Sequence, residues 1–161
     1  MATLQPQELD FAETAPFIAE APVVVSGTPA EVWAVLLDYP AWPRWFKGVK
    51  TCEPTSDPAT GVGSTRTVTL QAGGRVDERF IAWEDEQLWA FTGVAAPRIL
   101  DALVERVTIR PLDAERTEVT YRIAARWWGP FALLMKGLRR GVEKNLAASL
   151  RNLDAELAAR R

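Results

Sequence analysis

The chain has 161 residues, of which 48% are hydrophobic and 25% charged, and a formal net charge of −2. That length suits one domain with a sizeable core, and the composition excludes a disordered or collagen-like chain. The slightly acidic balance argues against nucleic-acid binding, because contacts to phosphates need a basic excess.

There is no histidine. The usual imidazole metal ligand, the Ser-His-Asp triad and the readiest proton carrier near neutral pH are therefore missing. One cysteine, Cys52, cannot form an internal disulfide or a thiolate metal cluster. It lies among strand-like residues and reads as a packed or surface thiol. No metal and no cofactor are expected, and any proton chemistry falls to carboxylates or tyrosine. The start of the chain has no basic run and carries Glu8 and Asp10, unlike a secretory signal. No apolar stretch approaches the roughly 20 residues that span a bilayer. A soluble, cytoplasmic protein is the expectation.

Residues 1–17 have no clear period and contain Pro6 and Pro16, so they read as an N-terminal extension lying over the surface. A single domain is expected over 18–161. Val23 to Val25 is β-branched and short, as a strand would be. Thr28-Pro29-Ala30-Glu31 predicts a helix start. Thr28 can cap, Pro29 suits the first helical position, and Glu31 can close a capping box. Val32, Trp33, Val35 and Leu36 follow at helical spacing until Pro40 and Pro43 interrupt. Trp42 to Phe46 predicts a second short helical turn, ended by Gly48.

Strand-like runs then follow at 49–54, 65–70, 75–83, 88–93, 103–111 and 117–127, with Gly73-Gly74 as a hairpin turn. Short turns between them imply antiparallel hairpins rather than β-α-β crossovers. After Gly129-Pro130, apolar residues recur every three or four positions from Leu134 to Leu157. This predicts an amphipathic helix roughly 40–45 Å long. A bent sheet gripping a straight helix cannot touch it everywhere. The gap left between them would be an apolar cavity of the size that holds small ligands, about 300–1,000 Å³.

Residues 23–39 (VVVSGTPAEVWAVLLDY), then 42–46 (WPRWF), 61–66 (GVGSTR) and the closing amphipathic helix resemble the SRPBCC, or START-like, superfamily. That superfamily includes START lipid-transfer domains and the polyketide cyclase/dehydrase group. The resemblance covers nearly everything from Ile18 onward. It implies an α+β helix-grip fold: a curved antiparallel sheet around a long C-terminal helix, with two short helices after the first strand. It also implies a deep hydrophobic cavity. None of the matching segments is a catalytic signature.

Strand parity places three charged residues among inward-facing apolar ones. Arg66 shares the side of Val68 and Leu70, Glu78 that of Val76 and Phe80, and Glu105 that of Leu103 and Val107. A buried ion persists only when paired, hydrated or bound. Arg66, Glu78 and Glu105 are therefore expected to form a polar cluster in a greasy cavity, with Arg66 paired to one carboxylate. The alternative is a structural ion pair buttressing the sheet. If the protein is a catalyst, Glu78, Glu105 and Tyr121 are the candidate acid–base residues. The other expected ligand contacts are Val68, Phe80, Trp89, Phe91, Val107, Met135, Leu138 and Val142.

Gly137 and Gly141 lie on one face of the terminal helix, where they leave room over the cavity, let the sheet approach, or allow a kink. Trp42, Trp45 and Phe46 are placed to cap the cavity mouth. Trp127 and Trp128 precede basic residues, a combination suited to transient contact with an anionic membrane as well as to ordinary packing. The expected partner is a hydrophobic or amphipathic small molecule, and the expected role is binding or transport. A cyclase or dehydratase is the first alternative and a co-chaperone-like interaction module the second.

Overall fold

A computed structural model describes residues 1–161. In chain order the strands are β1 (Ala2–Thr3), β2 (Phe17–Ser26), β3 (Val49–Pro54), β4 (Thr65–Leu70), β5 (Arg75–Glu84), β6 (Leu88–Ala96), β7 (Leu100–Pro111) and β8 (Arg116–Trp127). The helices are α1 (Phe11–Thr14), α2 (Pro29–Leu37), α3 (Trp42–Trp45) and α4 (Pro130–Ala159). Hairpins join β3 through β8 into an antiparallel meander, and β2 returns to pair with β8, giving the order β2-β8-β7-β6-β5-β4-β3.

The β2–β8 ladder is long, from Phe17 opposite Ala125 to Ser26 opposite Arg116. The β-branched run marks only 23–25 of this strand, which spans Phe17–Ser26 and includes Pro22. As the last strand on its side of the sheet, β2 tolerates Pro22, whose missing N–H faces no neighbour.

The start of α2 forms as its sequence requires. The Glu31 amide donates to Thr28 Oγ1 at 3.3 Å, and the Thr28 amide donates to Glu31 Oε2 at 2.8 Å. Two orphan donors are thus satisfied at once. Val32, Val35 and Leu36 are buried against the main core. Gly129 opens α4 at φ +44°, a conformation L side chains rarely adopt.

The 30 residues of α4 run about 45 Å across the concave face. Its two halves differ. Leu146, Leu150, Leu153 and Leu157 are buried at helical spacing, each worth about 2 kcal/mol of apolar burial. Three ion pairs tie this end down: Arg44–Glu156 at 2.7 Å, Arg160–Asp38 at 2.6 Å and Arg161–Glu31 at 3.3 Å. In the first half, Leu133, Leu134 and Leu138 are exposed. Space is open around both glycines, where an added β-carbon would meet nothing within 4 Å. These glycines therefore do not serve close approach by the sheet.

The N-terminal segment does more than lie over the surface. β1 pairs with Ala95 and Ala96 of β6, and the Gln5 amide donates to the Asp101 carbonyl of β7. It thus enters where β6 and β7, paired from Leu88–Thr108 to Thr92–Val104, splay apart. Leu4 is buried there against Leu100 and Leu103. Phe11 and Ala12 of α1 cover Ala102, Val104 and Ala124 on the outer face. Glu13 pairs with Arg106 at 2.7 Å and also with Arg122. The whole is an α+β helix-grip fold. No helix is long and apolar enough to cross a membrane.

Candidate functional site

Because the first half of α4 stands off the sheet, a cavity of about 290 Å³ lies beneath it. Its wall comes from many parts of the chain. The sheet supplies Phe17 of β2, Leu70 of β4, Val76 of β5, Leu103 and Glu105 of β7, and Ile123 and Trp127 of β8. The β6–β7 turn adds Pro97 and Ile99, with Leu100 beside them. Phe46 closes one side after α3, and Met135 and Val142 form the roof. Eleven of the thirteen lining residues are hydrophobic. Glu105 carries the only ionisable side chain among them. The surface depression around Pro43, Lys47 and Asn152 is polar and shallow by comparison.

Glu105 sits at the inner end of this space. The Tyr121 hydroxyl donates to its Oε2 at 2.5 Å. Its Oε1 accepts no hydrogen bond from the protein and is left for the cavity. Burial, with help from the negative charge of Glu78, pushes this carboxyl up to about 8, against the opposing Tyr121 hydrogen bond and Arg66 charge. At neutral pH Glu105 is therefore mostly a protonated acid. The Tyr121 hydroxyl is itself raised well above its usual range, first by burial and then by Glu105.

Behind this pair lies a sealed ion pair. Arg66 and Glu78 are cross-strand partners on β4 and β5, and Arg66 Nε donates to Glu78 Oε2 at 2.6 Å. The guanidinium carbon lies 4.1 Å from the centre of the Trp42 ring, 4.7 Å from Phe91 and 4.9 Å from Trp89. Phe80 and Tyr39 complete an aromatic box. Ring faces stand in for water here, while Nη1 and Nη2 have no hydrogen-bond acceptor. Burial raises the Glu78 carboxyl above its ordinary value and Arg66 opposes that shift. Arginine cannot shed its proton, so Glu78 is its counter-ion near neutral pH. Cys52 is buried nearby, its thiol pushed up to about 12 by burial, which makes it a poor nucleophile.

Residues 16–158 match the family described as polyketide cyclase/dehydrase and lipid transport. The chain belongs to that family. An uncharacterised protein of Mycobacterium tuberculosis is 32% identical over 156 residues, covering 94% of this chain and 93% of the relative. Among solved structures, the Zhui aromatase/cyclase of a Streptomyces species superposes with a TM-score of 0.74 at 20% identity, over 89% of this chain and 94% of the other. A START superfamily protein from Mycobacterium smegmatis gives 0.73 at 16% identity, over 87% and 98%. At these identities the structural likeness concerns the fold.

In this member of the polyketide cyclase/dehydrase and lipid-transport family, the residues expected at the site fall into four groups. Glu105, Met135 and Val142 line the cavity. Arg66, Glu78 and Tyr121 form the polar layer behind it. Val68, Phe80, Trp89, Phe91 and Val107 are not cavity wall but members of the packed main core. Their facing neighbours, including Trp33, Trp42 and the α4 leucines, fill the space they look onto. Leu138 is also misplaced by the periodicity: it is 50% exposed on α4, while Met135 and Val142 face inward. Trp42 and Trp45, expected at the mouth, are fully buried, and only Phe46 of that trio lines the cavity.

Ten lining residues were not among the ligand contacts expected from the sequence, although Phe46 was expected at the cavity mouth and Leu70, Val76 and Leu103 on the inward side. Phe17 lies in the segment read as an extension. Pro97, Ile99 and Leu100 fall in a stretch read as a connection. Trp127, placed with a possible membrane-facing pair, turns inward while Trp128 stays exposed. Among the missed residues, Ile123 shares the parity of Tyr121, and that signal could have found it.

Proposed function

We propose that the protein binds an apolar or amphipathic small molecule, such as a lipid, polyketide or aromatic compound, in the cavity under the first half of α4. The observation that carries this reading is an apolar chamber with a single acid at its inner end. Burial of ligand surface supplies about 25 cal/mol per Å² before the costs of association. Native mass spectrometry of freshly purified protein tests it. A co-purified apolar molecule, lost from a Val142→Trp variant that stays folded, is the expected result. An empty protein that takes up no apolar dye would refute it.

One observation favours a second reading. A protonated glutamate hydrogen-bonded to a tyrosine beside a ligand chamber can serve as a general acid, as a cyclase or dehydratase requires. In that case Glu105 and Tyr121 carry the chemistry. Turnover of a polyketide-like substrate with a bell-shaped pH profile, abolished in Glu105→Gln, is its signature.

Transient membrane contact belongs to the loading step of the first reading. Trp128, Leu133, Leu134 and Leu138 are exposed beside Lys136, Arg139 and Arg140, close to the cavity roof. Apolar side chains rimmed by cations suit an anionic bilayer. Salt-sensitive sedimentation with phosphatidylglycerol vesicles, weakened in Leu133→Asp, is expected. Self-association of the chain without vesicle binding would remove the idea.

A further inference from the structure

We infer that the cavity selects an uncharged ligand carrying a hydrogen-bond acceptor at its inner end, and that Glu105, oriented by Tyr121, makes the selection. This deepens the ligand-binding reading and rests on it.

The geometry excludes the more obvious alternative. Arg66 is the nearest cation, and a carboxylate or phosphate ligand would need it. Its side chain is fully enclosed, however, with the guanidinium shut in by Trp42, Trp89, Phe91, Phe80 and Tyr39 and engaged by Glu78. It does not line the cavity. An anionic head placed at the inner end would meet Glu105, with Glu78 behind it and no accessible cation. Such a charge is desolvated without a partner, which is the costly case.

An uncharged acceptor fares differently. Glu105 Oε2 is occupied by the Tyr121 hydroxyl, so the carboxyl is held in one orientation with Oε1 toward the guest. A neutral carboxyl offers an O–H donor. A ketone, ester, quinone or ether oxygen accepts it without bringing a charge into an apolar chamber.

The selection has a pH limit. The groups facing Glu105 are Tyr121 on β8, Glu78 on β5 and Arg66 on β4. The cavity residues on α4, Met135 and Val142, and Phe46 after α3 do not titrate. Once Glu105 ionises, the donor becomes an acceptor and repels the ligand oxygen it held.

Three probes of matched shape test this: 2-acetylnaphthalene, 2-naphthoate and 2-ethylnaphthalene, followed by equilibrium dialysis at pH 6 and pH 9.5. The ketone is expected to bind about tenfold tighter than the carboxylate at pH 6 and to weaken about tenfold by pH 9.5, the scale of one buried hydrogen bond unmade. The ethyl compound should not change. Glu105→Gln keeps an uncharged donor and should bind the ketone equally at both pH values. Glu105→Leu should bind ketone and ethyl probes alike. Tyr121→Phe removes a hydrogen bond that favours ionisation and should move the midpoint to higher pH. Circular dichroism confirms that each variant is folded. Equal binding of all three probes by the wild type overturns the selection alone. Failure of every probe to bind the folded protein overturns the cavity reading as well.

Discussion

Arg66 and Glu78 stand opposite each other on β4 and β5, 2.6 Å apart from Nε to Oε2, with the arginine side chain wholly shut off from water. The pair is enclosed by aromatic rings rather than by solvent. Its net value to stability is small, since desolvation offsets attraction, but loss of one partner leaves a bare charge in the core. Glu78→Gln is expected to lower stability by about 3 kcal/mol or more in urea unfolding. The double change Arg66→Met with Glu78→Leu should cost clearly less than Glu78→Gln. An exposed-pair result, with both variants within about 0.5 kcal/mol of wild type, would contradict the burial.

Glu105 predicts an unusual pH dependence. Its carboxyl is near 4.5 in the unfolded chain and about 8 when folded. Between those values the folded protein binds the extra proton, so this group's contribution to stability is fully present below about pH 4.5. It is lost as pH rises toward about 8. The wild-type urea midpoint, compared with that of Glu105→Gln at each pH from 5 to 9, isolates the effect. The gap should shift in favour of the variant as pH rises and level off above 8. A constant gap would show that Glu105 is ionised throughout.

Gly93 marks the entry of the N-terminal strand. A β-carbon there would lie 2.7 Å from Leu4 Cδ1 and 3.2 Å from Leu103 Cβ. Gly93→Ala should therefore displace Leu4 and destabilise the fold by about 1–3 kcal/mol. Amide exchange at Leu4, whose N–H donates to the Val94 carbonyl at 2.9 Å, should accelerate. Adding Leu4→Ala should recover part of the loss, because the collision is with that side chain.

The two halves of α4 should answer truncation differently. Leu150→Ala removes a fully buried side chain and is expected to cost about 3 kcal/mol. Leu138→Ala, on the exposed stretch, should stay within about 0.5 kcal/mol. Thermal or urea unfolding of the two variants side by side checks this.

Local chemistry was enough to determine the order of elements from the strand at Val23 onward, the Thr28–Glu31 cap and the length of the terminal helix, because each depends on neighbours in the chain. Strand parity likewise put Arg66, Glu78 and Glu105 on the inner side, since alternation of faces is a property of any strand. Parity gives a side and not a depth. Whether Phe80, Trp89 and Phe91 border a void or a packed core depends on Trp42, Trp33 and the α4 leucines, which come from distant segments. Only the tertiary structure decided that the hollow lies under the first half of α4. It also decided that Arg66 is sealed while Glu105 faces the cavity, and that the first residues of the chain complete the sheet. Those outcomes follow from how volumes fill where β6 and β7 part, and no single segment encodes that.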